Sequence, residues 1–229
     1  MCMLKTAGII GGMGAAATVD IFNKIVCQTK ALKDQEHIPL LIDNNTQIPD
    51  RTDFLLGKGP SPLDTLLASA QKLINMGADY LALACNTSHF FYSDLSSLVS
   101  VKILNTVEET ANEASRLNLR KIALLGTNGF VQHVNYRNYF ERHGMEVVIP
   151  NSTGQQTVND LIYHGIKAQR YDIDVSQFKN VLDDMMEDGV QSFALSCSEL
   201  PIAFSLSNIN YPSTQVLTAV LSPLPKEHN

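Results

Sequence analysis

The sequence predicts an α/β fold of two pseudo-symmetric lobes, each a mainly parallel sheet flanked by helices. Three observations carry that prediction. Short apolar runs alternate with stretches of helical apolar spacing along all 229 residues, the pattern of strands covered by crossover helices. Gly77-Ala-Asp-Tyr-Leu-Ala-Leu-Ala-Cys85 returns as Gly189-Val-Gln-Ser-Phe-Ala-Leu-Ser-Cys197, with Gly, Ala, Leu and Cys in equivalent places 112 residues apart. Ile9-Ile10-Gly11-Gly12-Met13-Gly14 is echoed by Leu124-Leu125-Gly126-Thr127-Asn128-Gly129 at an offset of 115. Two offsets that agree, each near half the chain, predict a duplicated unit rather than a single sheet.

Taken in order, Thr6–Ile10 reads as a strand because its apolar run stops at Gly11, Gly12 and Gly14, residues that permit a tight turn. Thr18–Ala31 carries apolar residues at helical spacing, and Pro39–Ile42 is a second short strand. The stretch from Asp43 to Ser61 is too long for an ordinary connection, and its Asn, Asp and Arg beside a strand end predict a site or lid. Leu63–Met76 is helical, Tyr80–Ala84 and Val101–Leu104 are strands, and Val107–Leu117 is helical. The second half repeats the alternation with strands at Ile122–Leu125, Val147–Ile149 and Ser192–Leu195, and helices at Phe130–Arg142, Thr157–Ile166 and Gln177–Glu187. The expected lobes are 1–104 and 105–209, with 210–229 packing back on the first.

Composition narrows the function. Acidic residues outnumber basic ones 23 to 17, a net charge of −6, which provides no basic surface for nucleic acid or anionic lipid. An anionic substrate must then be held by a few individually placed cations. Four cysteines are too few for a disulfide framework, and none pairs with the six histidines at zinc-like spacing, so a reducing cytoplasm is the expected setting and no metal is expected. Met1–Ala17 imitates a signal peptide, but glycines interrupt its apolar core. No apolar run has the length of a membrane span.

The echo places a cysteine directly after a strand in each lobe, at Cys85-Asn86-Thr87-Ser88 and at Cys197-Ser198-Glu199. Open α/β sheets bind ligands beyond the carboxyl ends of their strands, and helix N-terminal amides there favour a thiolate. Two thiols facing one another across a cleft suit stereoinversion, in which a proton leaves one side of a carbon and another arrives on the opposite side. One cysteine must then enter as thiolate and the other as thiol. The alternative is a pair of buried structural fillers. For a symmetric pair on strand ends the functional reading is preferred.

Gly11-Gly12-Met13-Gly14, Thr18-Val-Asp20, Asn44-Asn-Thr-Gln-Ile-Pro-Asp-Arg-Thr52, Gly59-Pro-Ser-Pro62, Cys85-Asn-Thr-Ser-His89, Gly165-Ile-Lys167 and Cys197-Ser-Glu199 together resemble the cofactor-independent aspartate racemases of the aspartate/glutamate racemase family, in the family's order and over nearly the whole length. The resemblance implies two lobes with the site between them, a homodimer, and racemisation of free aspartate, a small-molecule substrate, without pyridoxal phosphate. It makes Cys85 and Cys197 the acid–base pair and assigns the substrate's side-chain carboxylate to Arg51 and Lys167. Arg51 offers a planar fork, Lys167 a point charge. The α-carboxylate is expected on Asn86, Thr87 and Ser198, where charge builds up as the Cα proton leaves. Gly12, Met13 and Thr127 are expected to line the site. Ala15, Ala16, Ser198 and Gln169 depart from the family pattern, the last in a way that can loosen substrate preference.

Other readings have their own signals. Gly12-Met-Gly-Ala-Ala-Ala17 fits the loose dinucleotide fingerprint, with Asp34, Glu36 or Asp43 further on, but explains neither cysteine. A non-catalytic binder of acidic amino acids would use Arg51 and Lys167 and leave the cysteine pair without a purpose. Within the family, a glutamate racemase carries Thr-His after its second cysteine, and Glu199 stands where that histidine would be, so aspartate is preferred. Glutamate stays open, since one methylene is discriminated by only about 1–3 kcal/mol. Glu199 either orients the Cys197 thiol or caps a helix. His89 is expected at a helix terminus partly in solvent, His37 beside the long loop, and His133, His143, His164 and His228 on the surface. Cys2, near the terminus, and Cys27, on the polar side of the first helix, are not catalytic candidates.

Overall fold

The computed structural model describes residues 4–133 and 136–215. Its first half runs β1 (Ala7–Gly11), α1 (Ala15–Gln28), β2 (Leu40–Asn44), α2 (Arg51–Leu55), α3 (Leu63–Asn75), β3 (Tyr80–Leu83), α4 (Tyr92–Leu98) and β4 (Lys102–Leu104). The second runs α5 (Thr106–Arg116), β5 (Lys121–Leu125), α6 (Asn128–His133), α7 (Tyr136–Glu141), β6 (Glu146–Val148), α8 (Ser152–Asp160), α9 (Ser176–Glu187), β7 (Ser192–Leu195), α10 (Leu200–Leu206) and β8 (Ser213–Gln215). The strands form two four-stranded sheets of the same order, β2-β1-β3-β4 and β6-β5-β7-β8, with every pair parallel. The predicted two-lobed α/β class holds.

Parallel sheets must be covered on both faces, so their central strands are apolar throughout. β1 and β3, and all of β7, are buried end to end. The period of two sorts each strand between two cores. In the first lobe Ile10, Leu81 and Leu83 pack under α3 and α4 with Leu66, Leu73 and Leu95, while Ile9 and Ala82 turn to α1 with Ile21 and Ile25. In the second, Leu125, Phe193 and Leu195 meet Leu161, Ile162, Phe178 and Leu182, and Ile122, Leu124 and Ala194 meet Val107, Phe130, Tyr136 and Phe140. Each Val, Leu, Ile or Phe among them contributes about 1.5–3 kcal/mol.

The glycine turns are needed where chains approach closely. Gly12 has φ +86°, and a Cβ there would lie 2.3 Å from the backbone carbonyl carbon of Asn45. Gly129, the second-lobe counterpart of Gly14, lets α6 lie against α2, since a Cβ would stand 2.8 Å from Thr52 Cα.

Several elements differ from expectation. The predicted helix Thr157–Ile166 begins earlier, as α8, because Asn151 caps it at the Gly154 amide (2.9 Å), and it ends in a wider π-helical turn at Leu161–Ile166. Phe130–Arg142 comprises α6 and α7, separated by 134–135, which lie outside the described residues. The chain 210–215 does not pack back on the first lobe: Ser213 to Gln215 pair with Phe193 to Leu195, so this piece completes the second sheet; 216–229 lie outside the described residues. Cys2, His228 and the side chain of His133 are likewise undescribed.

Candidate active site

Each cysteine stands two residues beyond the end of a central strand. Ala84 N–H donates to Ile10 O (3.0 Å) and Ser196 N–H to Leu125 O (2.7 Å), which carries the backbone of β3 and β7 straight to Cys85 and Cys197. Both thiols are buried and free. Beyond Cys85 a 3-10 turn, Thr87–Phe91, folds the chain back on the cysteine's carbonyl, which accepts from Ser88 Oγ (2.5 Å) and lies 3.2 Å from His89 Nδ1. A carbonyl only accepts, so Nδ1 carries the proton and Nε2 accepts from Thr106 Oγ1 at 2.9 Å. His89 is therefore buried and neutral rather than partly in solvent; burial holds its pKa down at about 4 against the backbone carbonyls around it.

Beyond Cys197 the thiol faces a carboxylate. Cys197 Sγ donates to Glu199 Oε2 at 2.9 Å, and Ser198 Oγ is 3.5 Å from the same oxygen. Glu199 Oε1 accepts from Gly14 N–H across the lobes at 3.2 Å. Glu199 precedes α10 but makes no capping bond to it, so its carboxylate serves the thiol rather than the helix. Burial first, then the Glu199 charge, push the Cys197 thiol well above its ordinary pKa; Lys167 opposes them.

The two predicted cations approach from the two lobes. Arg51 opens α2, whose start is fixed by Asp50 accepting from Thr52 N (2.8 Å) and Asp53 N (3.0 Å). Its guanidinium is buried, donating from Nη1 to Pro49 O (3.0 Å) and Ile48 O (3.3 Å) and from Nη2 to Met13 O (3.4 Å). Burial works against its charge, but Cys85 and then Asp50 beside it hold its pKa above the usual value. Lys167 follows the π-helical turn, its Nζ 3.7 Å from Asp50 Oδ2 and 4.4 Å from the centre of the Tyr163 ring, whose hydroxyl donates to Asp50 at 3.3 Å. Burial is its largest influence and disfavours its charge; Glu199, Tyr163 and Cys197 outweigh it and raise its pKa.

Hydroxyls close the gap between lobes. Thr127 Oγ1 accepts from Thr52 Oγ1 (2.9 Å) and Phe130 N (3.3 Å) and lies 3.4 Å from Thr87 Oγ1. Of the sequence candidates, Arg51, Met13 and Cys85 thus share one corner, Thr87 and Thr127 another, and Cys197, Ser198 and Lys167 a third. Gly12 shapes the turn, its amide taken by Thr18 Oγ1 (2.9 Å). Two buried donors of this site have no partner among the described residues: Arg51 Nε and Asn86 Nδ2. Sequence reasoning does not reach Asp50, Thr52 and Tyr163. Signals for two of them are present: a capping acid directly before Arg51, and a tyrosine four residues before Lys167 on one helical face.

An open cavity of about 380 Å³ lies elsewhere, at the carboxyl end of β2 between Asp43, Asn45, Gln47, Ser69 and Lys72. It holds neither cysteine, and its Lys72 is paired with Asp43 at 2.6 Å. No group of three or more His, Cys, Asp or Glu suited to a metal occurs among the described residues.

Residues 10–218 match the Asp/Glu/hydantoin racemase family. A broad-specificity amino-acid racemase of Bacillus subtilis is 32% identical over 165 residues, 68% of each chain. An aspartate racemase of Picrophilus torridus superposes with a TM-score of 0.85 at 28% identity, covering 95% of this chain and 92% of its own. A glutamate racemase of Francisella tularensis, solved with D-glutamate, shares the fold alone, with a TM-score of 0.64 at 13% identity over 96% of this chain and 79% of its own.

Proposed function

The chain belongs to the Asp/Glu/hydantoin racemase family and is an isomerase of that family; from this premise we propose that it interconverts L- and D-aspartate by proton transfer between Cys85 and Cys197, without pyridoxal phosphate. The observation that carries the proposal is the pair of buried strand-end thiols, one beside a cation and one beside a carboxylate, with lobes 1–104 and 105–209 contributing one each. One sulfur, as thiolate, removes the Cα proton and becomes a thiol. The opposite sulfur gives its proton to the other face of the carbanion and becomes a thiolate. One C–H bond breaks and one forms, and the amino acid is inverted.

Arg51 and Lys167 hold the side-chain carboxylate, displacing Asp50 from its contact with Lys167. The α-carboxylate rests on Asn86, Thr87 and Ser198, and Gly12, Met13 and Thr127 wall the pocket. The unpartnered donors Arg51 Nε and Asn86 Nδ2 support this division, because a buried donor without an acceptor is costly and an anionic ligand relieves it. Donors fixed before reaction stabilise the negative charge that develops at the α-carboxylate. The expected setting is a cytoplasmic homodimer with no nucleic-acid or membrane partner. The 32% identical relative, a broad-specificity enzyme, favours a second reading in which glutamate is also accepted.

The test is incubation of the purified chain with L- and D-aspartate in deuterated water, without added cofactor, following Cα deuterium and optical rotation. Uptake of deuterium with loss of rotation from both enantiomers is expected. Inert aspartate and glutamate would leave only a binder.

A further inference from the structure

Glu199 is the one acidic side chain in hydrogen-bond contact with a strand-end thiol among the described residues, and both of its oxygens are committed. Oε2 lies 2.9 Å from Cys197 Sγ, which must keep its hydrogen to make that bond, since a thiolate and a carboxylate at this distance would only repel. Oε1 accepts at 3.2 Å from the amide of Gly14, in the first lobe just ahead of α1, so turning the carboxylate away from the thiol also breaks a bond between the lobes. It is almost wholly buried, and no capping bond competes for it. The first lobe has no counterpart: the residue two after Cys85 is Thr87.

We propose that Glu199 is a positioning residue that holds Cys197 as the proton-bearing member of the pair in the resting enzyme, its own orientation fixed by the Gly14 amide of the opposite lobe. The inference rests on the two-cysteine reading above. Titratable groups facing Cys197 are Glu199, Lys167, Cys85 and, more weakly, Tyr163, and the pKa of Cys197 is raised in keeping with the net effect of this set together with burial. The resting enzyme is then poised for the enantiomer whose Cα hydrogen faces Cys85, which acts as base; the other enantiomer is taken by the form in which the two protonation states are exchanged. When Cys197 has passed its proton to Cα, the new thiolate sits against a carboxylate, and this repulsion makes it the short-lived form of the enzyme.

The test titrates Cys197 alone, by thiolate ultraviolet absorbance taken as the difference between full-length Cys85→Ala and Cys85→Ala/Cys197→Ala chains. The midpoint is expected above the ordinary thiol value of about 8.5. Adding Glu199→Gln, which removes the charge but keeps the size of the side chain and so the burial that also raises this thiol, is expected to lower it by roughly 1–3 pH units. A midpoint at or below about 8.5 in the parent, or one that Glu199→Gln leaves in place, overturns the proposal. A low parent midpoint overturns the proposal even where the Glu199 variant fails to fold. Normal racemisation by Cys197→Ala would instead sink the two-cysteine reading, an outcome the titration does not depend on.

Discussion

The turns after β3 and β7 use one backbone device in opposite electrostatic settings. Both deliver a buried thiol from the end of a central strand. After β3 the thiol shares its corner with the Arg51 guanidinium, and its carbonyl is clamped by Ser88 and a neutral His89. After β7 the thiol is tied to the Glu199 carboxylate, with Lys167 near both. The duplicated scaffold supplies symmetry of position, and a few nonequivalent neighbours break the symmetry of charge. Two-sided proton transfer needs both: matched placement around one carbon, and different protonation at the start of each turnover.

The comparison can be broken most severely at the sulfurs. Cys85→Ala or Cys197→Ala is expected to cut racemisation by roughly 10²–10⁴-fold, and the double variant should be no worse than either, since one sulfur cannot serve both faces. Steady-state polarimetry on all three chains measures this. A next effect is confined to the first turn. His89 is neutral when folded, with a pKa of about 4 against about 6.5 unfolded, so the unfolded chain binds more protons in that window and stability rises with pH across it. Stability is full above about pH 6.5 and falls by up to about 3 kcal/mol toward pH 4. Urea unfolding across that range should show the slope in the native chain and lose it in His89→Gln. Smallest is Lys167→Ala, which leaves Asp50 and Glu199 without their shared cation. Its KM for aspartate should rise by about 1.5–3 kcal/mol, roughly ten- to hundredfold, with circular dichroism unchanged.

Much of the fold is legible in the sequence because the burial pattern of parallel strands is strong. Among the described residues, seven of the eight strands fall within a residue or two of their predicted places, and Ser192–Leu195 coincides. The elements that escape a sequence reading are short. α2 and α10 have five and seven residues, less than the span over which helical periodicity declares itself, and β8 has three. α2 and α10 nonetheless border the site, because they begin where strands and loops end. His89 departs from its expected exposure for a related reason: its burial comes from Thr106, seventeen residues away, a contact no local pattern encodes. Glu199 has two readings of equal standing in the sequence, and the cross-lobe bond to Gly14, 185 residues distant, separates them.

The shared strand order has a consequence for how the enzyme can change. In each half the chain leaves the first strand in one direction and returns to its other side as the third, so the crevice between those two strands is the topological switch point. The glycine turns and the cysteines occupy that crevice. Arg51 and Lys167 arrive from elsewhere, on the excursions that follow the second strand of each half, β2 and β6. On the proposed reading, chemistry and recognition are therefore mounted on different struts. That reading predicts that insertions or substitutions in the excursions retune which carboxylate is gripped, and how far from Cα, while the sulfurs stay registered to β3 and β7.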